Sequence, residues 1–438
     1  MMAPLQERHP RGMAETPWLA YPPRRGLQQI LQLALVGVVV GAACWPLNLL
    51  DRWQDNLLHH LPAFGALWHA SSLVLLLAPL AVMPVLLILQ ARLWPGAAGS
   101  GIPHVIACLE DPSRTESLMA PAPTLQRLLL WSIASLALFP LGREGPVVQL
   151  GAAVLVALRT RFPHLLGWLG ARERLAVAGA AGLAAGFNTP LMAALFLVEE
   201  LIHGCLPALI WPGLVVASLA ALVSGWGGQP EFALGLLPAT VVEPLQLLWA
   251  VPFGLGAGLL GTLMVKLLLT LNAHCLPLAT RRPLRTGLVL GAALALLALM
   301  SGGAGCGDGE ALMALLVRQG QGPSSAPLAL LARLLGPGLA LSVGVPGGLI
   351  DPALALGALL GRTLGDPLGI GPLALALGMA ASLAGATQLP LMSLMFSLRL
   401  MGDQQWLPGI LLASVLGAGV GRLLIRRGVY HALAEQME

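Results

Sequence analysis

Gly142-Arg143-Glu144-Gly145-Pro146 sets two charged residues between glycines inside an otherwise apolar stretch. Glycine lets the backbone approach a ligand closely, and proline suits the first turn of a helix, where its missing N–H is not needed. The segment therefore reads as a helix start within apolar surroundings. Two others have the same form, Gly99-Ser100-Gly101-Ile102-Pro103 and Gly348-Leu349-Ile350-Asp351-Pro352. Helix N-termini carry partial positive charge and free N–H donors, so several that converge on one point make an anion site without a full cation. Ser100 adds a hydroxyl donor. A single Gly-Pro break does no more than kink a helix; the argument rests on three.

The surroundings of these breaks fix the solvent. Of 438 residues 57% are apolar and 10% charged, and mean hydropathy is +0.81, far from the balance of water-soluble domains. Apolar stretches recur at 27–50, 73–93, 206–223, 245–271, 284–299 and 407–424. Several are long enough to cross hydrocarbon about 30 Å thick, which takes about 20 helical residues. Others, such as 191–201, are too short and are cut by Gly or Pro. Irregular backbone at membrane depth survives only where protein or a watery cavity surrounds it. The expected fold class is an all-α polytopic membrane protein with broken and tilted helices, a transporter or channel rather than a bundle of anchors.

The chain also resembles itself. At an offset of 200 residues Ala180-Ala181-Gly182-Leu183-Ala184 meets Ala380-Ala381-Ser382-Leu383-Ala384, Pro190-Leu191-Met192 meets Pro390-Leu391-Met392, and Phe196 meets Phe396. At an offset of 206, Pro146 meets Pro352 and Leu150-Gly151-Ala152 meets Leu356-Gly357-Ala358. Two related halves follow, at 27–225 and 240–425. Secondary transporters built from repeats hold substrate between the halves, at the ends of interrupted helices.

Taken together and in this order, the three segments resemble the CLC family of chloride channels and proton-coupled chloride transporters, whose signatures read G-S-G-I-P, G-[KR]-E-G-P and G-x-F-x-P. The first two match fully; the third has Ile350 where the family usually has phenylalanine. The resemblance runs through residues 26–430, including Phe187-Asn188-Thr189-Pro190-Leu191 leading into Glu199-Glu200, and Gly344-Val345-Pro346-Gly347-Gly348. It implies the CLC fold of two inverted-topology halves, in a homodimer with one anion pathway per subunit. It also implies chloride and protons as the transported partners, with no cofactor and no metal.

Roles follow residue by residue. Glu144 looks like the gating glutamate, whose carboxylate occupies an anion site, competes with chloride and swings away when protonated. Glu200, with Glu199 beside it, aligns with the internal proton-transfer glutamate. The anion-binding set implied is Ser100, Gly101, Ile102, Arg143, Gly145, Leu349, Ile350 and Gln404. Serine at position 100 is the version associated with chloride. Gln404 enters because the transporters carry an anion-coordinating tyrosine near the start of the last membrane segment, and 400–408 is the run that matches it here. A glutamine amide donates a hydrogen bond as a phenol does but builds no aromatic wall. With Ile350 it loosens the expected inner gate, so passive chloride conduction stands beside chloride/proton antiport. Asp351 is an acid the family does not require, and Arg399 replaces a usual glutamate.

Other functions lack their residues. Basic side chains are too few and scattered for nucleic acid. The five cysteines show no C-x-x-C or metal-ligand spacing and are expected in packing. His59-His60, His104, His203 and His274 read as isolated, leaving no catalytic constellation for an enzyme. Arg8, Arg11, Arg24 and Arg25 precede the first span and Arg422, Arg426 and Arg427 follow the last. The positive-inside bias then puts both termini, expected as tails at 1–25 and 431–438, in the cytoplasm. A chain without an appended soluble domain suggests a bacterial inner membrane.

Overall fold

The computed structural model describes residues 23–204, 207–226, 243–318, 325–401 and 404–437. The expected N-terminal tail thus lies almost wholly outside the described residues. The first half consists of α1 (Pro23–Leu58), α2 (Ala70–Ile88), α3 (Ile102–Glu110), α4 (Thr115–Leu118), α5 (Pro121–Leu136), α6 (Glu144–Arg161), α7 (Ala171–Phe187), α8 (Pro190–Phe196) and α9 (Pro207–Gly225). The second holds α10 (Ala250–Arg281), α11 (Pro283–Met300), α12 (Glu310–Arg318), α13 (Ala326–Leu341), α14 (Ile350–Gly365), α15 (Gly371–Thr387), α16 (Pro390–Met401) and α17 (Leu407–Leu424), followed by α18 (Val429–Glu435). Among the described residues there is no strand.

The halves correspond element by element. α7 packs on α6 and α9 as α15 packs on α14 and α17, and α1 lies against α7 and α9 as α10 lies against α15 and α17. α7 and α15 are each 17 residues long, α3 and α12 each 9. At about 1.5 Å per residue, nine residues span roughly 14 Å, half of the hydrocarbon. α3 is the short helix that the break at Gly101-Ile102-Pro103 predicts, whereas α12 starts at Glu310 without such a segment.

Six helical stretches among the described residues are long and apolar enough to cross a bilayer. They carry the exposed apolar side chains, among them Val74 and Leu77 of α2, Leu255 and Leu259 of α10 and Val289 of α11. Such surface suits lipid and not water. α7 and α15 instead sit inside, with Leu175 to Phe187 and Leu373 to Thr387 buried on every face. Their contacts are made by small residues, because apolar side chains gain little from leaving lipid and close backbone approach must hold the helices together. A Cβ on Gly151 of α6 would strike the Ala178 carbonyl of α7; one on Gly357 of α14 would strike the Gly378 carbonyl of α15.

One expectation changes at the C-terminus. Residues 431–435 are no tail but the body of α18, which packs on α3 and buries Val429, Tyr430 and Ala434. Of the cysteines, Cys44, Cys108 and Cys306 are buried free thiols and Cys275 is half-buried; Cys205 lies outside the described residues.

Candidate functional site

The two halves meet at Gly142 and Gly348, the same position under the 206-residue offset. Gly142 N–H donates to Gly348 O at 3.0 Å and Gly348 N–H to Gly142 O at 2.8 Å, an antiparallel bridge between equivalent residues. The local relation of the halves is therefore an inverted twofold. α6 and α14 start two residues beyond the bridge, so their N-termini flank it.

Glu144 lies across this junction and is fully buried. Its Oε1 accepts the Asp351 N–H at 2.7 Å, in the first turn of the other half's helix. Its Oε2 has no hydrogen-bond partner. A Cβ on either Gly142 or Gly348 would run into the carboxylate, so both glycines are required for a side chain to rest here. The carboxylate thus lies at the N-terminus of α14, where free backbone N–H groups favour negative charge. Asp351 gives its backbone N–H to this arrangement, while both of its own buried carboxylate oxygens lack a partner.

Ser100 belongs to the same assembly. Gly99 and Gly101 on either side have φ of +96° and +117°, which only glycine adopts without strain, and the turn they make rests on Gly145. A Cβ on Gly101 would strike the Gly145 carbonyl, and one on Gly145 would strike Ser100. Gly99 N–H donates to Gly344 O at 2.8 Å, which ties the turn to the second half. Arg127 holds it from behind, donating to Gly96 O at 2.8 Å and Ala98 O at 3.1 Å and contacting His104 Nε2 at 2.9 Å. Ile102 is buried at the start of α3, and Leu349 and Ile350 are buried at the start of α14.

A cavity of about 420 Å³ opens at this turn, lined among others by Ser100, Pro103, Leu349, Tyr430 and Leu433. Ser100 Oγ and the Tyr430 hydroxyl are both buried atoms without a hydrogen-bond partner. Two such donors on one cavity suit an anion, since an unpaired buried polar group is costly.

Tyr430 is a site residue that the sequence reading did not name, and the expectation at Gln404 falls on a side chain outside the described residues. Tyr430 stands on α18, on the cavity wall. Gln404 opens the short turn Gln404–Trp406 before α17, and its side chain lies outside the described residues. The available signal was scarcity, since the chain has two tyrosines.

Arg143 departs from the anion-binding set expected of it. Its guanidinium is committed to carboxylates of the protein: fully buried, it pairs with Asp51 of α1, donates to Glu310 of α12 at 2.9 Å, and lies 4.7 Å from the centre of the Phe187 ring. A guanidinium so far from water needs carboxylate partners, and the two halves each supply one.

The neighbouring glutamates separate. Glu199 accepts the N–H groups of Leu391 at 3.0 Å and Met392 at 2.8 Å, capping the start of α16. Its two oxygens are thereby tied to that helix start. Arg399, at the equivalent position under the 200-residue offset, donates to Phe187 O at 2.6 Å and Asn188 O at 2.5 Å, closing the end of α7. Glu200 faces the interior, buried, with no hydrogen bond on Oε1. Its neighbour is His431 of α18, 3.7 Å away. His203 also adjoins His431, so it is not isolated as its sequence setting suggests.

Comparison with known proteins agrees with this geometry. Three solved structures share the fold: a slow cyanobacterial Cl−/H+ antiporter (TM-score 0.76, 20% identity, 95% of this chain and 98% of that one), a eukaryotic CLC transporter (0.75, 22%, 94% and 74%) and a CLC-type fluoride/proton antiporter (0.73, 24%, 92% and 98%). A curated relative, the voltage-gated ClC-type chloride channel ClcB of Escherichia coli O17:K52:H18 (strain UMN026 / ExPEC), is 28% identical over 305 residues, covering 66% of this chain and 70% of that protein. The voltage gated chloride channel family model matches residues 81–422. With that match across most of its length, and two inverted halves joined at Gly142 and Gly348, the chain is an integral multi-pass membrane protein that belongs to the voltage gated chloride channel family.

Proposed function

We propose that this protein exchanges chloride for protons, with Glu144 as the gate and Glu200 as the internal proton-transfer group. The observation that carries the reading is the Glu144 carboxylate lying across the bridge between the halves, hydrogen-bonded to the Asp351 N–H. A carboxylate in that position and a chloride there are alternatives. Protonation removes its charge and frees it to leave, so one binding place couples the two ions. An ionisable group held inside the membrane is costly and is retained for function by default.

Chloride rests against the Ser100 and Tyr430 hydroxyls, whose donors have no protein partner. Glu200, with its unpartnered oxygen, takes protons by a route that avoids that cavity. The relatives, a chloride channel and two anion/proton antiporters, support chloride as substrate and antiport as mode. Arg422 in the last turn of α17, with Arg426 and Arg427 just beyond it, puts the C-terminus in the cytoplasm under the positive-inside bias. The cavity beside α18 then faces inward, in a bacterial inner membrane, with two subunits per assembly and one pathway in each.

The test is a chloride gradient across proteoliposomes with the potential clamped by valinomycin and potassium. Uphill proton movement that disappears in Glu144→Gln is expected. Fast chloride flux with no proton movement in the unsubstituted protein makes it a passive conductor and ends the antiport reading.

A further inference from the structure

Glu200, His203 and His431 come from three places in the chain: the π-helical turn Leu197–Ile202, the residue that ends it, and α18. Each offers one ligand atom, and the three atoms lie within 4.8 Å of one another. His431 Nε2 is 3.7 Å from Glu200 Oε1, and neither atom has a hydrogen-bond partner. The two imidazole centres are 4.5 Å apart with planes inclined at 68°. The group is graded in depth, from exposed His203 through half-buried His431 to buried Glu200, so a solute reaches the carboxylate past the imidazoles.

We propose that these three side chains form a binding site for a divalent transition metal, Zn2+ foremost. Two imidazole nitrogens and a carboxylate oxygen are a three-ligand zinc set that leaves the fourth tetrahedral position to water. With metal–ligand bonds of about 2.0–2.2 Å, ligand atoms in such a set stand about 3.4 Å apart, so the 3.7 Å pair has only a few tenths of an ångström to close.

The surroundings fit as well. His431 Nδ1 faces the Glu110 carboxylate at 3.4 Å. An imidazole whose far nitrogen donates to a carboxylate keeps its Nε2 lone pair free for metal, the arrangement that orients most metal-bound histidines. The acidic group Asp51, Asp55 and Glu310 differs: it is fully buried and Arg143 already pairs with two of its members.

The functional consequence rests on the reading of Glu200 as the internal proton-transfer group. A metal on its carboxylate excludes a proton, so Zn2+ on the α18 side stops proton movement. Binding needs ionised Glu200 and neutral imidazoles, and so weakens as pH falls.

The test titrates Zn2+ into the full-length protein in detergent by calorimetry, and Co2+ by visible absorption, which distinguishes tetrahedral from octahedral coordination. The expected result is one site per chain with a tetrahedral Co2+ spectrum, weakened at least about tenfold in His203→Ala and His431→Ala, with a loss of about 10–100-fold in Glu110→Gln. His203 is exposed, so its variant keeps the fold, with retained chloride flux as the check. Equal binding by His203→Ala, His431→Ala and the unsubstituted protein overturns the site, as does an octahedral Co2+ spectrum. In proteoliposomes, site-specific Zn2+ binding that leaves proton movement intact upholds the site and removes Glu200 from the proton route instead. Absence of binding overturns the site and leaves the Glu200 reading where it was.

Discussion

The halves share a backbone and differ at the positions that carry charge. At the junction both supply a glycine, a helix start two residues later and a proline after that. The first half places Glu144 at the helix start and the second places Ile350. A second carboxylate in the mirror position would face Glu144 across the bridge as a like charge. At the 200-residue offset, Glu199 caps the start of α16 while Arg399 closes the end of α7. Opposite charges at equivalent positions suit opposite ends of a helix, where free N–H groups favour an anion and free carbonyls a cation. Repetition thus supplies a twofold cradle of backbone dipoles, and divergence of a few side chains lays the Glu144 carboxylate across it from one half only.

The sharpest way to break this comparison is to exchange the charges. Glu199→Arg combined with Arg399→Glu places each charge against backbone groups of its own polarity. Each substitution loses charge-assisted hydrogen bonds worth about 1.5–3 kcal/mol. Because their partners are backbone groups and not each other, the double variant is expected to show the sum without rescue, read as thermal unfolding in detergent. Recovery in the double variant would mean that the pair acts as an ion pair.

Arg143→Met comes next. It strips Asp51 and Glu310, one from each half, of their shared cation, and breaking a buried pair in this way costs about 3–5 kcal/mol. The same unfolding measurement reads it. A loss of chloride binding with unchanged stability would restore Arg143 to the anion site.

Gly348→Ala asks whether the second half's backbone holds the first half's gate. Its methyl displaces the Glu144 carboxylate and removes the Asp351 hydrogen bond, worth about 1.5–3 kcal/mol. Fewer protons are expected per chloride, with Gly142→Ala behaving alike. If only Gly142→Ala acts, the junction is not symmetric in energy.

The smallest effect is expected of Tyr430→Phe, which keeps the ring and deletes the donor. Chloride affinity by calorimetry should fall by about 1 kcal/mol, with Gln404→Ala unchanged. The reverse result would give the inner wall to Gln404.

Much of this was legible from order and composition. Long apolar stretches state that lipid is the solvent, Gly-Pro breaks state where helices begin, and two offsets state that the chain is repeated. Ser100, Gly101, Gly145 and Glu144 were legible because their requirements are local: a turn that needs glycine, a helix start, an acid at membrane depth. What failed was assignment across distance. Arg143 sits beside Glu144 in sequence, yet its side chain is claimed by α1 and α12. Glu199 and Glu200 are adjacent, yet helical geometry turns one to α16 and the other to α18.

The sequence by itself determined the membrane class, the repeat and the residues at each helix start, because those follow from hydropathy and from what glycine and proline do to their own backbone. Only the tertiary structure decided that Gly142 pairs with Gly348, that Tyr430 faces the Ser100 cavity and that His431 reaches Glu200. Those contacts join residues far apart in the chain, and what brings them together is the antiparallel packing of the two halves and the return of α18 onto α3, which no local pattern encodes.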